Sequence, residues 1–209
     1  MSIINLTIVA DKLVDAIGDY YGSGEYVKPF QSKELADCVV KHAAAGGVAA
    51  MGTNLLPGIG GLISAGVACG AIWTMYIKIC NIIKVPFAKN RLKSLASAVL
   101  TNVGTQLAGV FALSFIPGAG AVAAGVVNFT VTYFAGLIFL KMLTKIFKTQ
   151  RKDDLEFDDA AWKDYFKSAI KELDKKAIIK EAKELFTNMK NDGTLDEFGR
   201  DVEIESDED

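Results

Sequence analysis

The sequence predicts an all-α protein: a tandem repeat of apolar helical hairpins, four long helices in all, flanked by amphipathic helices. Three observations carry this expectation. Two long runs lack any charged residue, each run is broken near its middle by a Pro-Gly pair, and the pattern around one pair recurs around the other. The 209 residues are 51% apolar with a mean hydropathy of +0.26. Those values exclude a wholly disordered or collagen-like chain, and three cysteines in such a length exclude a disulfide scaffold.

The net charge of −2 conceals a segregation by position. Residues 1–42 hold four basic and six acidic side chains, residues 43–152 hold ten basic and no acidic, and residues 153–209 hold nine basic and nineteen acidic. A domain of ordinary composition would place about a dozen acids in the middle block. Their absence argues against an evenly charged, water-facing surface there.

Taken in order, residues 1–32 read as an N-terminal amphipathic helix and linker. Leu6, Val9, Leu13 and Ile17 recur at helical spacing, and Tyr20-Tyr-Gly-Ser-Gly ends the helix. The segment lacks a basic start, and Asp11 and Asp15 interrupt any apolar core, so it does not read as a signal peptide. Its apolar face is expected to pack on the rest of the chain.

Residues 33–152 read as the hairpin region, embedded in a membrane. The uncharged runs Ala43–Ile77 and Ser94–Leu140 are 35 and 47 residues long, each too long for one membrane helix of about 20. Pro57-Gly58 and Pro117-Gly118 divide them; proline disfavours helix in the residue before it and glycine relaxes the turn, so each pair marks a hairpin apex. At an offset of 60, Asn54-Leu-Leu-Pro-Gly-Ile-Gly-Gly overlies Ser114-Phe-Ile-Pro-Gly-Ala-Gly-Ala, which makes Gly60 and Gly120 equivalent. The expected helices span about residues 33–54, 59–84, 89–115 and 119–148. The first has only 14 uncharged residues before its apex, which suits a tilted or re-entrant arm.

Charge then sets an expected topology. Both basic clusters lie away from the neutral apices, and Lys and Arg close to membrane segments stay on the cytoplasmic side, so both termini are expected there. Lys84, Lys89, Arg91, Lys93, Lys145, Lys148 and Arg151 are the expected contacts with anionic head groups. Small residues at helix-packing positions let backbones approach: Gly66 and Gly70 form a GxxxG, and Gly109, Gly125 and Gly136 lie in the later arms. Asn102, Thr105, Gln106, Asn128 and Thr132 are polar groups at membrane depth, expected either to bond between helices or to line a path.

Residues 153–209 read as soluble amphipathic helices with an acidic tail. Trp162, Phe166, Ile170 and Leu173 step along one face, and Ile178, Ala182, Leu185 and Met189 along a second. The face carried by Trp162, Phe166, Ile170 and Leu185 is the expected site for a protein partner or a second copy. Residues 192–209 hold nine acids against Arg200 alone, which reads as a solvating tail, with autoinhibition over the basic linkers as the alternative.

No catalytic, cofactor or metal site is expected. The chain contains no Gly-Lys pair and so no P-loop. Gly118-Ala-Gly-Ala-Val-Ala lacks both a preceding strand and a downstream acid for a ribose, and Ser64 lacks the first glycine of a nucleophile elbow. His42 has no partner at zinc-ligand spacing, and residues 188–199 place Lys190 and Gly199 where calcium ligands belong. Cys38, Cys69 and Cys80 read as reduced, buried thiols. Aromatic residues are not interleaved with the basic ones, so no nucleic-acid binding is expected.

The apices Leu56-Pro-Gly-Ile-Gly60 and Ile116-Pro-Gly-Ala-Gly120, with Val85-Pro-Phe-Ala-Lys-Asn-Arg91 between them, make residues 43–148 resemble the bacterial YcjF-like helical family of unknown function. That resemblance implies membrane association and a link to a GTPase, which here would be a separate partner because the chain carries no GTPase domain. The function expected is a non-enzymatic membrane adapter or remodelling factor. The alternative is a pore-former that inserts Gly-rich hairpins.

Overall fold

The computed structural model describes residues 4–22, 28–53, 60–85, 92–101, 120–149 and 159–202. Helices make up 93% of these residues, and no strand occurs among them, so the protein is all-α. In chain order the helices are α1 (Ile4–Tyr21), α2 (Lys28–Thr53), α3 (Gly60–Ile82), α4 (Leu92–Thr101), α5 (Gly120–Thr149), α6 (Asp159–Lys171), α7 (Lys175–Asp192) and α8 (Thr194–Arg200). The apex residues Pro57, Gly58, Pro117 and Gly118 lie outside the described residues.

Local chemistry ends these helices where the sequence changes character. Gly22 adopts φ 87° after α1, and its N–H donates to the Gly18 carbonyl at 2.9 Å. Asp174 caps α7 by accepting from the N–H groups of Lys176 and Ala177 at 3.0 and 3.1 Å. Gly193, at φ 84°, turns the chain from α7 into α8. After α3 the turn is closed by Lys84, a non-glycine residue at φ 56°, while the Val85 N–H reaches back to the Cys80 carbonyl at 3.0 Å.

The α5 helix is the axis of the bundle. It packs against α1, α2, α3, α6 and α7. From Asn128 to Leu140 every residue is buried, more than three consecutive turns, so that part of α5 is enclosed on all sides. The α2 helix runs antiparallel along it: Val39 meets Gly136, and Gly47 and Met51 meet Gly125. The α3 helix returns parallel to α5, with Tyr76 stacked on Phe139 at a centroid distance of 4.0 Å and its hydroxyl donating to the Ala135 carbonyl at 3.2 Å. The α4 helix lies back along α3, where Lys93 sits over the Trp73 ring at 5.3 Å and Ser97 meets Cys69.

The flanking helices form a collar around the lower part of this assembly. The α1 helix lies beside the C-terminal half of α5, with Tyr20 edge-on to Phe147 at 5.3 Å. The α6–α7 pair runs antiparallel to α5. Tyr165 meets Thr149, Glu172 meets Lys145 and Lys141, and Phe186 packs edge-on against Phe129 at 5.5 Å. The α8 helix then turns onto α2, where Gly199 touches Val48 and Asp201 pairs with Lys41 at 3.4 Å.

This packing corrects two expectations. The C-terminal helices expected to offer a free face turn it inward: Phe166 is buried in the common core, and Ile170 and Leu185 pack against that core half-buried. The side chain of Trp162 is not among those described. Gly66, expected to pack a helix pair through GxxxG, is exposed, and a Cβ added there would meet nothing within 4 Å. At Gly125 and Gly136 an added Cβ would collide with Met51 and with Val39 respectively.

Candidate functional site

The described residues divide into two zones along α5. The collar of α1, α6, α7 and α8 presents charged residues outward, including Asp11, Lys12, Asp15, Lys180 and Lys190. Phe186 on α7 meets Phe129 on α5, and α7 runs on past it to Asp192; Gly199 on α8 meets Val48 on α2. Toward the N-terminus of α5, residues 120–129 of α5, 43–53 of α2, 60–77 of α3 and 94–101 of α4 carry no charge.

The described residues at this end of the bundle are apolar or small. Val122 is 39% exposed; Ala121, Ala123, Ala124, Val126 and Val127 are half-buried. On α2, Val48, Ala49 and Met51 are half-buried and Gly52 is exposed; on α3, Gly66 is exposed and Val67, Cys69 and Gly70 are half-buried. Single exposed apolar residues are ordinary; here they belong to a stretch without charge among the described residues. Gly60 and Gly120 open α3 and α5 at this end. From Gly120 to Phe129 is nine residues, a rise of about 14 Å.

Only α5, among the described residues, is long and apolar enough to cross a bilayer, and most of its apolar window is enclosed by the chain itself. With α7 in place, its outward Lys180, Lys190 and Thr187 would have to enter hydrocarbon if α5 crossed, which is prohibitive.

The polar residues at depth occupy the bundle interior. Asn128 is buried and donates to the Ala124 carbonyl of its own helix at 3.1 Å. Thr132 is fully buried, and its hydroxyl has no hydrogen-bond partner. It faces Gly46, where an added Cβ would stand 3.1 Å from Thr132 Oγ1. The α2–α5 seam is closed at this point and leaves no path. Asn102, Thr105, Gln106 and Gly109 lie outside the described residues.

Of the basic residues, Lys84 and Lys148 are exposed at the end opposite Gly120, and Lys93 covers Trp73. Lys89, Arg91 and Arg151 lie outside the described residues. Lys145 is not free for a head group in this conformation: it is held by Glu172 and by the Ser168 hydroxyl at 2.5 Å. Lys141 pairs with the same carboxylate at 3.2 Å and also donates to the Glu172 backbone carbonyl at 3.2 Å. Hydrogen bonds from Lys145 and Lys141 hold the Glu172 carboxyl below its ordinary range. Glu172 is the residue that sequence reasoning passed over. Two lysines one helical turn apart call for an acid, but nothing in their spacing says which of nineteen supplies it.

No protein family, curated protein or solved structure matches this chain. Its function has to be argued from the chain's own geometry.

A second polar feature is a cleft of 540 Å³ between α2, α3 and the end of α8, lined by Glu34, Asp37, Cys38, His42, Lys78 and Asp201 among others. His42 Nδ1 lies 2.7 Å from the Cys38 carbonyl and 3.6 Å from its Sγ. A carbonyl oxygen only accepts, so Nδ1 carries the proton and is no base for the thiol. Burial lowers the His42 pKa, and burial pushes the Cys38 thiol up to about 12. Burial raises Cys80 as well. The pair stands neutral at neutral pH, without the lowered thiol pKa of an activated cysteine. Alkylation at pH 8 should therefore mark half-buried Cys69 well before Cys38 or Cys80, since a pKa near 12 leaves about one Cys38 thiol in ten thousand ionised. Peptide mass mapping that found Cys38 labelled first would refute this reading of the cleft.

Proposed function

We propose that this chain is a non-enzymatic membrane adapter or remodelling factor that seats the uncharged end of its helical bundle in one leaflet. The observation that carries the reading is that end itself: residues 120–129 of α5, a rise of about 14 Å, with residues 43–53 of α2 and 60–77 of α3, all free of charge and with Val122 39% exposed. A wedge filling one leaflet expands that leaflet alone, which favours curved membrane and gives a remodelling action its physical basis. The charged collar stays in water, with both termini on the cytoplasmic side. A GTPase partner, implied by the YcjF-like apex motifs, would dock on the collar.

Fractionation tests this directly. The protein should sediment with membranes and resist high salt, because its attachment is apolar. Carbonate treatment should leave it in the pellet. Recovery in the high-salt or carbonate supernatant would end the claim. The pore-forming alternative requires dye release from vesicles to which the protein has bound.

A further inference from the structure

The cleft between α2, α3 and the end of α8 opens where the two long helices carry charge. Its volume of 540 Å³ lies within the range of about 300–1,000 Å³ usual for small-ligand sites.

The charges around it are balanced but not paired. Lys33, Glu34 and Asp37 line the cleft from α2 and Lys78 lines it from α3. Lys41 and Asp201, also in the lining, cancel each other at 3.4 Å. The other four side chains form no ion pair among the described residues. Two positive and two negative groups therefore border one space without neutralising each other. Their sum is zero, so net charge favours neither a plain anion nor a plain cation; it suits a molecule that carries both signs.

The floor narrows the choice. His42 is only 5% exposed and lines the cleft. Its Nδ1–H donates to the Cys38 carbonyl of its own helix at 2.7 Å. That leaves Nε2, on the other side of the ring, as an acceptor with no protein partner among the described residues. A sheltered acceptor of this kind calls for a donor. Burial lowers the His42 pKa against the raising effect of the Cys38 bond, and the Lys78 ammonium adds to the lowering, so Lys78 stands within electrostatic reach of the ring. A ligand that satisfies both presents a donor to Nε2 and, close beside it, an anionic group to Lys78. Ile82 and Cys38 add apolar wall to the same space.

We infer that this cleft binds a small zwitterion of the α-amino-acid type, its ammonium on His42 Nε2 and facing Glu34 and Asp37, its carboxylate on Lys78. Cys38, held un-ionised by burial, is wall and not nucleophile, so the site holds its ligand without transforming it. The inference goes beyond membrane attachment and does not depend on it.

The chain has a single histidine, so a long-range proton–nitrogen correlation spectrum of full-length protein labelled in histidine contains one imidazole. The protein is purified without a polyhistidine tag. It is titrated at neutral pH with a pool of the common L-amino acids, then with each alone, and with propylamine and propionate at the same concentration. The free protein should show the proton on Nδ1. The pool and at least one of its members should shift the Nε2 resonance saturably, while propylamine and propionate, each with one charge of the pair, should not. Lys78→Gln and Asp37→Asn alter exposed side chains, so the free spectrum should be retained; each should raise the Kd by about five-fold, the effect of a partly solvated charge pair. Glu184→Gln, on α7 away from the cleft, should change nothing. A free imidazole protonated on Nε2 would overturn the proposal, as would the absence of a saturable shift with every amino acid. Equal shifts with propylamine or propionate, or unchanged affinity in either cleft variant, would overturn it too.

Discussion

Gly136→Leu is expected to unfold the bundle at a temperature at which the native chain is intact. A Cβ at this position would stand 2.6 Å from Val39 Cγ1, 2.8 Å from Cγ2 and 3.2 Å from Met75 Sδ. Neither neighbour can retreat, since Val39 and Met75 are themselves fully buried. Overpacking a close-packed core destabilises by about 1–3 kcal/mol, and leucine here goes well beyond one methyl group. At the upper end of that range the loss corresponds to a fall in Tm of about 10 °C for a chain of this size. Thermal unfolding followed by circular dichroism measures it. A compensating Val39→Ala should recover part of the loss, because the clash is pairwise. An unchanged Tm for Gly136→Leu would mean that the α2–α5 contact is not as close as described.

The second large effect concerns the bilayer. Val122→Asp places a carboxylate on the first turns of α5, at a side chain already 39% exposed, so folding is spared. Transfer of Asp to the bilayer centre costs about 2.5–3.5 kcal/mol, and a charge one leaflet deep feels a large part of it. Vesicle affinity should fall by an order of magnitude or more, with the melting curve unchanged. Ile8 supplies the contrast. It is 45% exposed, but on the collar helix α1, and Ile8→Asp should leave affinity alone. Equal losses in the two variants would overturn the proposal that the charge-free end meets the membrane.

The sequence disclosed the helices far better than their company. Pro-Gly pairs and charge breaks put the boundaries of α2, α3 and α5 within a few residues of those observed, because proline and glycine act locally on the backbone. Leu6, Leu13 and Ile17 were readable as a packing face and are buried as one. What covers an apolar face is a different matter. Periodicity states that Phe166, Ile178 and Phe186 must be removed from water; it is silent on whether a partner, a lipid or the chain's own α5 does so. Small residues were equally ambiguous. Gly66 and Gly136 have the same chemistry, yet only Gly136 has a neighbour within reach, and that neighbour is 97 residues away. The role of Lys145 depended on Glu172 in the same way. Long-range pairing has no local signal, which is why the collar appeared only in three dimensions.

The collar has a consequence for the order of events during synthesis. The contacts that close it join distant parts of the chain: Asn5 bonds to Glu181 across 176 residues, and Lys41 to Asp201 across 160. Loops of that length close late, and a ribosome delivers the N-terminal part first. Helices α2 to α5 are therefore complete while α7 and α8 have yet to emerge. For that interval α1, α2 and α3 can pack on α5, but the face that α6 and α7 later take has no cover from its own chain. That face of α5 is then the part of the chain most open to aggregation during translation.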